Sequence, residues 1–417
     1  MAAAAKRSAR QEPPQIVKRL RRAGRALAVP AGSVLLAFIV GAVIVAVTSG
    51  DPLKPYQAYR ALFCGGFGLF CFGGEPSVLQ LANTLVVVTP LIMAGIAVAL
   101  PFRAGMFNIG AEGQLIMGAI AAATVGIHLA GWPAFVLLPL VLVCGALGGA
   151  VWGGIVGVLK AVTGAHEVVT TIMLNFVAQW FLRFLIIGGP LQLPGGSSKS
   201  SPIGASAQLA TLVPHNSSIF LGLPCAVYRA HTGLFVALAA AAVFAFLLWR
   251  TSLGYEIRAV GQSQRAARYA GISVRRTLVV SMLIAGAFAG LAGAVQIAGV
   301  DHNLTDQYFT DTTGFDAIAV ALLGLNSAVG IILSAILFGA LHAGGSTMQS
   351  DAGVSGNLVY VLQALILFSI AANFLRGFKL RLPTPGRMPG TPAADAMAAA
   401  VAQETDIELA GDDKDTA

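Results

Sequence analysis

The sequence predicts an all-α protein, a polytopic transmembrane helix bundle of about ten spans in which some helices are broken. Of its 417 residues, 56% are hydrophobic and only 11% are charged, whereas soluble domains carry about a quarter charged residues. The apolar residues fall in runs long enough to cross a bilayer. The basic residues lie beside these runs rather than on one soluble face. These three observations predict an integral membrane protein and argue against nucleic acid as a partner.

The predicted transmembrane domain covers residues 29–375 and contains ten apolar runs. We place the spans at residues 29–47, 78–100, 104–130, 133–158, 168–188, 232–249, 278–299, 312–325, 328–344 and 357–375. The run at 312–325 is short, and we accept it as a crossing in preference to one long helix at 314–341. The number of crossings is then even, as two cytosolic termini require. In the fourth span a glycine at every fourth position predicts a ridge for close helix contact: Gly145, Gly149, Gly153 and Gly157.

The basic residues predict that both termini are cytosolic. Residues 1–28 form a tail with eight basic residues and one acid, and the tail at 376–417 begins with a basic run. On this layout 21 of the 26 Lys and Arg residues lie on the cytosolic side, as the positive-inside rule requires. Two interpretations of residues 15–27 remain open: a basic amphipathic helix that lies on membrane lipids, and a disordered tail. Residues 376–417 are predicted to be largely disordered.

Two long outer loops are predicted, at residues 48–77 and 189–231. The first contains Cys64 and Cys71, for which a disulfide and two free thiols both fit an oxidising exterior. The four cysteines include no C-x-x-C pair, which argues against a metal or redox centre. The sequence has no Gly-Lys pair and hence no Walker loop, and no pair of nucleophile and base stands out in the spans. We therefore predict no enzyme, no catalytic residue, no cofactor and no metal site.

Residues 103–118 place one carboxylate and two amides inside an otherwise apolar segment. Glu112 at membrane depth costs several kcal/mol unless it is solvated or paired. Glycines surround it, so the helix can break here and leave backbone groups beside a wet cavity. Many transporters build their substrate path from such broken helices. We therefore predict a substrate pathway from the polar residues of the spans: Asn83, Asn108, Glu112, Gln114, Asn175, Gln296 and Asp316.

These polar residues also have a structural interpretation. Three amide side chains can instead bond a neighbouring helix: Asn83, Asn175 and Gln296. Asp316 can cap the short eighth helix at its N-terminal end. Glu112 can pair with Arg103 across the broken turn. The sequence leaves both interpretations open.

The cytosolic segment at 250–277 carries six arginines and one acid. Ser263 can cap a short helix over 264–270, and Gly271 can end it. That helix has a small-residue face and two outward arginines: Ala266, Ala267 and Ala270, with Arg265 and Arg268. Such an element suits docking in the groove of a partner protein. Periodicity alone favours the alternative, an ordinary positive-inside loop.

Four groups of residues occur in order along the chain: Phe107-Asn-Ile-Gly-Ala-Glu-Gly-Gln114, Thr170-Thr-Ile-Met-Leu-Asn175, Leu253-Gly-Tyr-Glu-Ile-Arg-Ala-Val-Gly261 with Ala266-Ala-Arg-Tyr-Ala-Gly271, and Gly314-Phe-Asp-Ala-Ile-Ala-Val-Ala-Leu-Leu-Gly324. Together they closely resemble the permease subunits of bacterial ABC importers of the nucleoside and simple-sugar type. The resemblance covers roughly residues 80–375. The first motif resembles the nucleoside branch of that family.

The resemblance implies an inner-membrane permease subunit that moves its substrate by alternating access. The implied partners are a cytosolic ABC ATPase subunit, an external substrate-binding protein or lipoprotein, and a second permease subunit, either a related chain or a second copy of this one. Nucleosides are the favoured cargo, and a simple-sugar permease and a stand-alone secondary transporter are the alternatives. The family has its coupling helix between the sixth and seventh spans, which implies these coupling residues: Leu253, Gly254, Tyr255, Glu256, Arg258, Gly261, Arg265, Ala267, Arg268 and Gly271.

The charge asymmetry yields a testable topology. In a variant without reactive native thiols, we expect Ser327→Cys to be labelled by a membrane-impermeant reagent only from the cytosolic side. We expect Ser350→Cys to be labelled only from outside, because the ninth span separates the two positions. Labelling of both cysteines from one side would contradict the ten-crossing layout.

Overall fold

The computed structural model describes residues 15–69, 71, 78–212, 229–306 and 312–377 of the chain. Within these residues the regular secondary structure is helical, and extended backbone pairs only in isolated bridges. The described helices are α1 (Gln15–Ser49), α2 (Lys54–Phe67), α3 (Val78–Arg103), α4 (Ala111–His128), α5 (Ala134–Thr163), α6 (Glu167–Ile186), α7 (Gly233–Arg250), α8 (Ser252–Gln262), α9 (Gln264–Tyr269), α10 (Val274–Gln296), α11 (Thr313–Leu323), α12 (Ala328–Ala352) and α13 (Leu358–Gly377).

Seven of the described helices are long and apolar enough to cross a membrane: α1 over residues 30–49, α3, α5, α6, α7, α10 and α12. The helix α4 has 18 residues, and α11 and α13 are shorter apolar helices. Together they make about ten spans, which confirms the predicted all-α polytopic bundle. The helix α1 continues through residue 28 without a break. The rest of the two predicted tails, residues 1–14 and 378–417, lies outside the described residues.

The segment predicted as an outer loop at 48–77 contains a helix, α2, which corrects the loop prediction. This helix packs against α12 at very short range. A Cβ at Gly344 would overlap the carbonyl oxygen of Leu62, and a Cβ at Gly66 would overlap that of Ala340. Small residues thus let the two backbones approach. With 14 residues α2 does not form an apolar run of spanning length, so hydropathy gave no signal for it.

A disulfide links the last turn of α2 to the residues that follow it. Gly68 ends the helix with a φ of +69°, and its backbone N–H donates to the carbonyl of Cys64 at 2.8 Å. Cys64 is bonded to Cys71, and their Cα atoms are 4.7 Å apart. Of the two alternatives that the sequence left open for these cysteines, the structure therefore contains the disulfide.

The second predicted outer loop, at 189–231, folds against the end of α10 where the structure describes it. The backbone N–H of Leu209 donates to the carbonyl of Ala298 at 2.8 Å. The loop contains one short 3-10 turn, Ala205–Ala207. Residues 213–228 of this loop lie outside the described part. The connection therefore covers the end of a spanning helix through backbone hydrogen bonds.

The predicted glycine ridge of α5 packs along α10. Its four members are buried: Gly145, Gly149, Gly153 and Gly157. A Cβ at Gly149 would overlap the carbonyl oxygen of Gly286 and lie against the Cα of Gly290, and a Cβ at Gly118 of α4 would overlap the same Gly290. Where no hydrophobic force drives helices together, such close backbone approach supplies the van der Waals contact. The ridge prediction is confirmed.

This contact makes a prediction about stability. We expect Gly149→Ala to lower the thermal midpoint of the purified protein, because the added methyl forces backbones apart at a cost of about 1–3 kcal/mol. The matched control is Gly131→Ala, since a Cβ at Gly131 meets nothing within 4 Å. Equal midpoints for the two variants would show that the α5–α10 contact is not a determinant of stability.

Candidate substrate pathway and coupling segment

The predicted break of the third span lies between α3 and α4. The helix α3 ends at Arg103, residues 104–110 are irregular and mostly buried, and α4 begins at Ala111. Gly105 has a φ of +78°, a conformation that glycine adopts without strain. Irregular backbone inside a membrane protein needs internal hydrogen-bond partners. Polar side chains of the predicted pathway supply several of these bonds.

Asn108 and Gln114 form a reciprocal amide pair. Asn108 Nδ2 donates to Gln114 Oε1 at 3.0 Å, and Gln114 Nε2 donates to Asn108 Oδ1 at 3.2 Å. Asn108 also donates to the carbonyl of Ala97 in α3 at 3.0 Å and accepts from the N–H of Gly110 at 3.1 Å. Both side chains are buried. The pair therefore holds the irregular segment against the two helices that it joins.

Asn175 connects α6 to the same break. Its Oδ1 accepts from the N–H of Gly113 at 2.8 Å, and its Nδ2 donates to the carbonyl of Ile109 at 2.9 Å. The N-terminal N–H groups of a helix have no partner inside it, and Gly110, the residue before α4, has no side chain to cap them. Asn175 therefore caps α4 from a neighbouring helix, a role that the structural interpretation of this amide included.

Glu112 lies where the N-terminal ends of two helices meet. It belongs to the first turn of α4, and its Oε2 accepts from the N–H of Gly314, in the first turn of α11, at 2.6 Å. A helix N-terminus carries unpaired N–H donors and the positive end of the helix dipole. The fully buried carboxylate thus sits in the positive field of two helices. A Cβ at Gly314 would overlap the backbone nitrogen of Glu112, so this contact requires glycine.

Arg103 bonds the opposite end of α11 and not Glu112. Its Nε and Nη2 donate to the carbonyl of Asn326 at 3.2 and 2.9 Å, and Nη2 also donates to that of Leu325 at 3.1 Å. These carbonyls belong to the turn between α11 and α12. The interpretation of Glu112 as the ion-pair partner of Arg103 is therefore wrong.

A cavity of about 480 Å³ opens beside the N-terminal end of α11. Two predicted pathway residues, Gln296 and Asp316, line it. Directly after Gln296 the chain makes one π-helical turn, Ile297–Asp301, and such turns are frequent at functional sites. Apolar residues of α3 form one wall. The lining also includes six polar or aromatic residues that are missing from the predicted set: Arg229, Asp301, Thr312, Thr313, His342 and Tyr360.

The structure thus divides the predicted pathway residues. Four are buried around the break and bonded within the chain: Asn108, Glu112, Gln114 and Asn175. Asn83 is half-buried on α3, one turn before the lining residue Val87. The rings of His342 and Tyr360 lie edge to face with centroids 6.4 Å apart. Both belong to apolar runs of the sequence, so no local signal marks them and only helix packing brings them to the cavity.

The cytosolic segment forms two short helices, α8 and α9. The side chain of Ser263 accepts from the N–H of Ala266 at 3.3 Å, and Gly271 follows α9 with a φ of +80°, which confirms the predicted cap and end. The helix α8, capped by Thr251, was not predicted. The implied coupling residues differ in burial. Five of them are exposed: Tyr255, Gly261, Arg265, Arg268 and Gly271. Leu253, Glu256 and Arg258 are half-buried, and Gly254 and Ala267 are buried.

Close backbone contacts fix this segment on the bundle. A Cβ at Gly254 would overlap the carbonyl oxygen of Leu247 in α7, and one at Gly261 would overlap that of Arg103 in α3. Ala267 is the inward face of α9. The exposed face of the two helices is basic and aromatic: Tyr255, Arg265, Arg268 and Tyr269.

Comparison with known proteins identifies relatives over most of the chain. Residues 80–371 match the family described as the permease component of the branched-chain amino acid transport system. The chain is 41% identical to the guanosine ABC transporter permease of Bacillus subtilis, over 86% of this chain and 96% of that protein. It is 37% identical to the glucose ABC transporter permease of Haloferax volcanii, over 87% and 92% of the two chains. It is 34% identical to the nucleoside ABC transporter permease NupB of Lactococcus lactis, over 84% and 92%. No solved structure matches.

A multi-pass bundle with a broken span, a polar cavity at a helix terminus and a compact helical segment between two spans defines a membrane transport protein. The chain belongs to the permease-component family of branched-chain amino acid transport systems. It is a multi-pass inner-membrane protein, and its relatives are ABC transporter permeases rather than enzymes. The resemblance to permeases of the nucleoside and simple-sugar type is thereby confirmed.

The contact of Glu112 with α11 yields a prediction. In Glu112→Gln an amide oxygen can still accept from the N–H of Gly314, but the charge that two helix N-termini stabilise is lost, at a cost of about 0.3–2 kcal/mol. We expect the assembled complex to form and uptake per assembled complex to fall. The matched control is Glu167→Gln in the first turn of α6, where the carboxylate pairs with Lys160 at 2.7 Å.

Uptake must be divided by the amount of assembled complex. A lower yield of complex with unaltered uptake per complex would show that Glu112 only holds the structure together. Lost uptake per complex in both variants would show that loss of any first-turn carboxylate charge has this effect.

Proposed function

We propose that this chain is the channel-forming subunit of an ATP-driven importer of nucleosides. A second permease subunit, a related chain or a second copy, completes the channel. An external substrate-binding protein or lipoprotein delivers the nucleoside, and cytosolic ABC ATPase subunits drive alternating access. Both termini are cytosolic, and membrane lipids surround the bundle. The observation that carries this proposal is the cavity beside α11, which combines hydrogen-bonding side chains with two aromatic rings.

The lining of this cavity suits a nucleoside. The amide of Gln296 can both donate to and accept from ring nitrogens and hydroxyls, and the carboxylate of Asp316 accepts from sugar hydroxyls. The rings of His342 and Tyr360 offer faces for a flat base. Asn83 lies on the α3 face that leads to this lining. Relatives named for guanosine and for nucleosides support the same cargo.

The buried polar residues shape this pathway rather than contact the cargo. Asn108, Gln114 and Asn175 hold the break in place, and Glu112 holds the N-terminal end of α11 beside the cavity. One cargo-facing side chain, that of Asp316, then sits on a helix whose position depends on the break. Alternating access requires such discrete, repositioned elements around a fixed site.

The segment α8–α9 is the proposed contact with the ATPase subunit. Its outer face is exposed, basic and aromatic, and its inner face is locked to α3 and α7. A displacement of α8 is therefore transmitted to the end of α3 through the backbone contact between Gly261 and Arg103.

A sugar permease is the second candidate, because the relative from Haloferax volcanii is named for glucose. The deciding experiment is uptake by proteoliposomes that contain the permease with its ATPase and binding-protein partners. We expect guanosine uptake that requires ATP and exceeds glucose uptake at least ten-fold. Glucose uptake alone would replace the proposed cargo, and uptake without ATP or partners would indicate a secondary transporter.

The aromatic pair provides a sharper form of this test. We expect Tyr360→Leu to raise the KM for guanosine several-fold, since stacking on a base is worth about 1–3 kcal/mol. The control is Tyr56→Leu on α2, where the ring is 69% exposed and outside this cavity. An unchanged KM in Tyr360→Leu would show that the ring of Tyr360 does not contact the cargo.

The coupling assignment makes a further prediction. Ala267→Leu adds volume to the buried face of α9, and Gly271→Pro imposes a φ near −65° where the structure has +80°. We expect both variants to insert in the membrane and to hydrolyse ATP with the partner, but to lose most uptake. The control is Gly353→Pro, a glycine with a φ of +63° at the end of α12. Normal uptake in both test variants would remove α9 from the coupling contact.

A further inference from the structure

A second cavity, of about 560 Å³, lies on the side of the bundle that carries α8. The ends of α3 and α7, one face of α8 and the turn between α11 and α12 line it. Its lining is cationic and aromatic: Phe102, Arg103, Trp249, Tyr255, Arg258 and Asn326. This cavity is separate from the proposed cargo cavity, with which it shares no lining residue.

Two half-buried guanidinium groups converge on this cavity without a carboxylate partner in the described part of the chain. Arg103 donates to backbone carbonyls. The guanidinium carbon of Arg258 lies 4.4 Å from the ring centroid of Trp249. The acid of α8, Glu256, does not line the cavity and accepts from Thr277 of α10 at 3.4 Å. Arginines that are partly removed from water are stabilised by a bound anion, and their planar fork matches a phosphate or carboxylate.

The turn at the base of the cavity is strained. Leu325 and Asn326 have φ angles of +53° and +51°, a left-handed conformation that is uncommon outside glycine. Such conformations cluster at ligand sites, where other contacts maintain them. The side chain of Asn326 is 8% exposed, and its Oδ1 is buried without a hydrogen-bond partner. A buried polar atom without a partner calls for an explanation, and a ligand in the cavity that Asn326 lines would supply one by donating a hydrogen bond.

We propose that this cavity binds a phosphate monoester that carries a planar ring, of the nucleoside monophosphate class. The phosphate lies between Arg103 and Arg258, the ring stacks on the exposed face of Tyr255, and the ring edge bonds the amide of Asn326. The volume is in the range of small-molecule sites. The proposed function places this cavity on the cytosolic side, where phosphoryl transfer to an imported nucleoside is the class of reaction that supplies such a ligand.

The test measures binding of AMP and of inorganic phosphate to the full chain in lipid nanodiscs, without partner subunits. We expect saturable binding of both. Arg258→Gln should weaken both at least ten-fold. Asn326→Gly, which suits a positive φ, should weaken AMP at least five-fold and leave phosphate unchanged. The control is Arg276→Gln, an exposed arginine of α10 outside the cavity, which should change neither affinity.

Absence of saturable binding at millimolar concentration would overturn the proposal, and so would equal affinities in Arg258→Gln and the unmodified chain. Either result would assign the two arginines to an acidic side chain of the ATPase subunit rather than to a free phosphate ester. The measurement does not involve transport, so a failed cargo assignment leaves the binding result unaffected. Conversely, a failed binding result would not bear on the cargo assignment, which the proteoliposome uptake experiment measures separately.

Discussion

The architecture depends on one buried carboxylate that two helix ends stabilise. Glu112 sits in the first turn of α4 and accepts from the first turn of α11. In hydrocarbon an isolated ionised group would cost several kcal/mol, and two positive helix termini with their unpaired N–H groups offset this cost. The carboxylate in return holds two like dipole ends together that would otherwise repel. The N-terminal end of α11 is thereby fixed beside the proposed cargo cavity.

Residues on the two sides of the break between α3 and α4 contact the two ends of α11. At one end Glu112 accepts from Gly314, and at the other Arg103 donates to the turn at Leu325 and Asn326. Arg103 also touches α8 through its carbonyl oxygen and Gly261. A continuous set of contacts therefore links the proposed ATPase-docking segment to the helix that carries Asp316. Displacement of α8 would move the end of α3 first and α11 next, because no deformable side chain separates the backbones at the glycine contacts.

Features that depend on local pattern were predictable from the sequence, whereas those that depend on packing were not. Apolar runs gave the spans, four-residue spacing gave the glycine ridge, and Ser263 with Gly271 gave the bounds of α9. The helix α2 escaped detection because it is short and packs through small residues rather than through an apolar run. The partner of Arg103 escaped detection because carbonyl groups exist at every position and carry no sequence signal. Likewise His342 and Tyr360 meet the cavity only through the arrangement of α12 and α13.

The division of labour among polar residues bears on cargo selection. Three amides stand out in the sequence: Asn108, Gln114 and Asn175. Asn108 and Asn175 form hydrogen bonds with the backbone, and Asn108 and Gln114 bond each other. A side chain whose donors and acceptors are satisfied internally gains little from a passing ligand. On the proposed function, discrimination among cargoes then falls to residues of the cavity wall. Three of these, Gln296, His342 and Tyr360, lie outside the four motifs. A common set of motifs can thus build one broken-helix scaffold, while a few wall residues decide whether a flat base or a sugar is accepted.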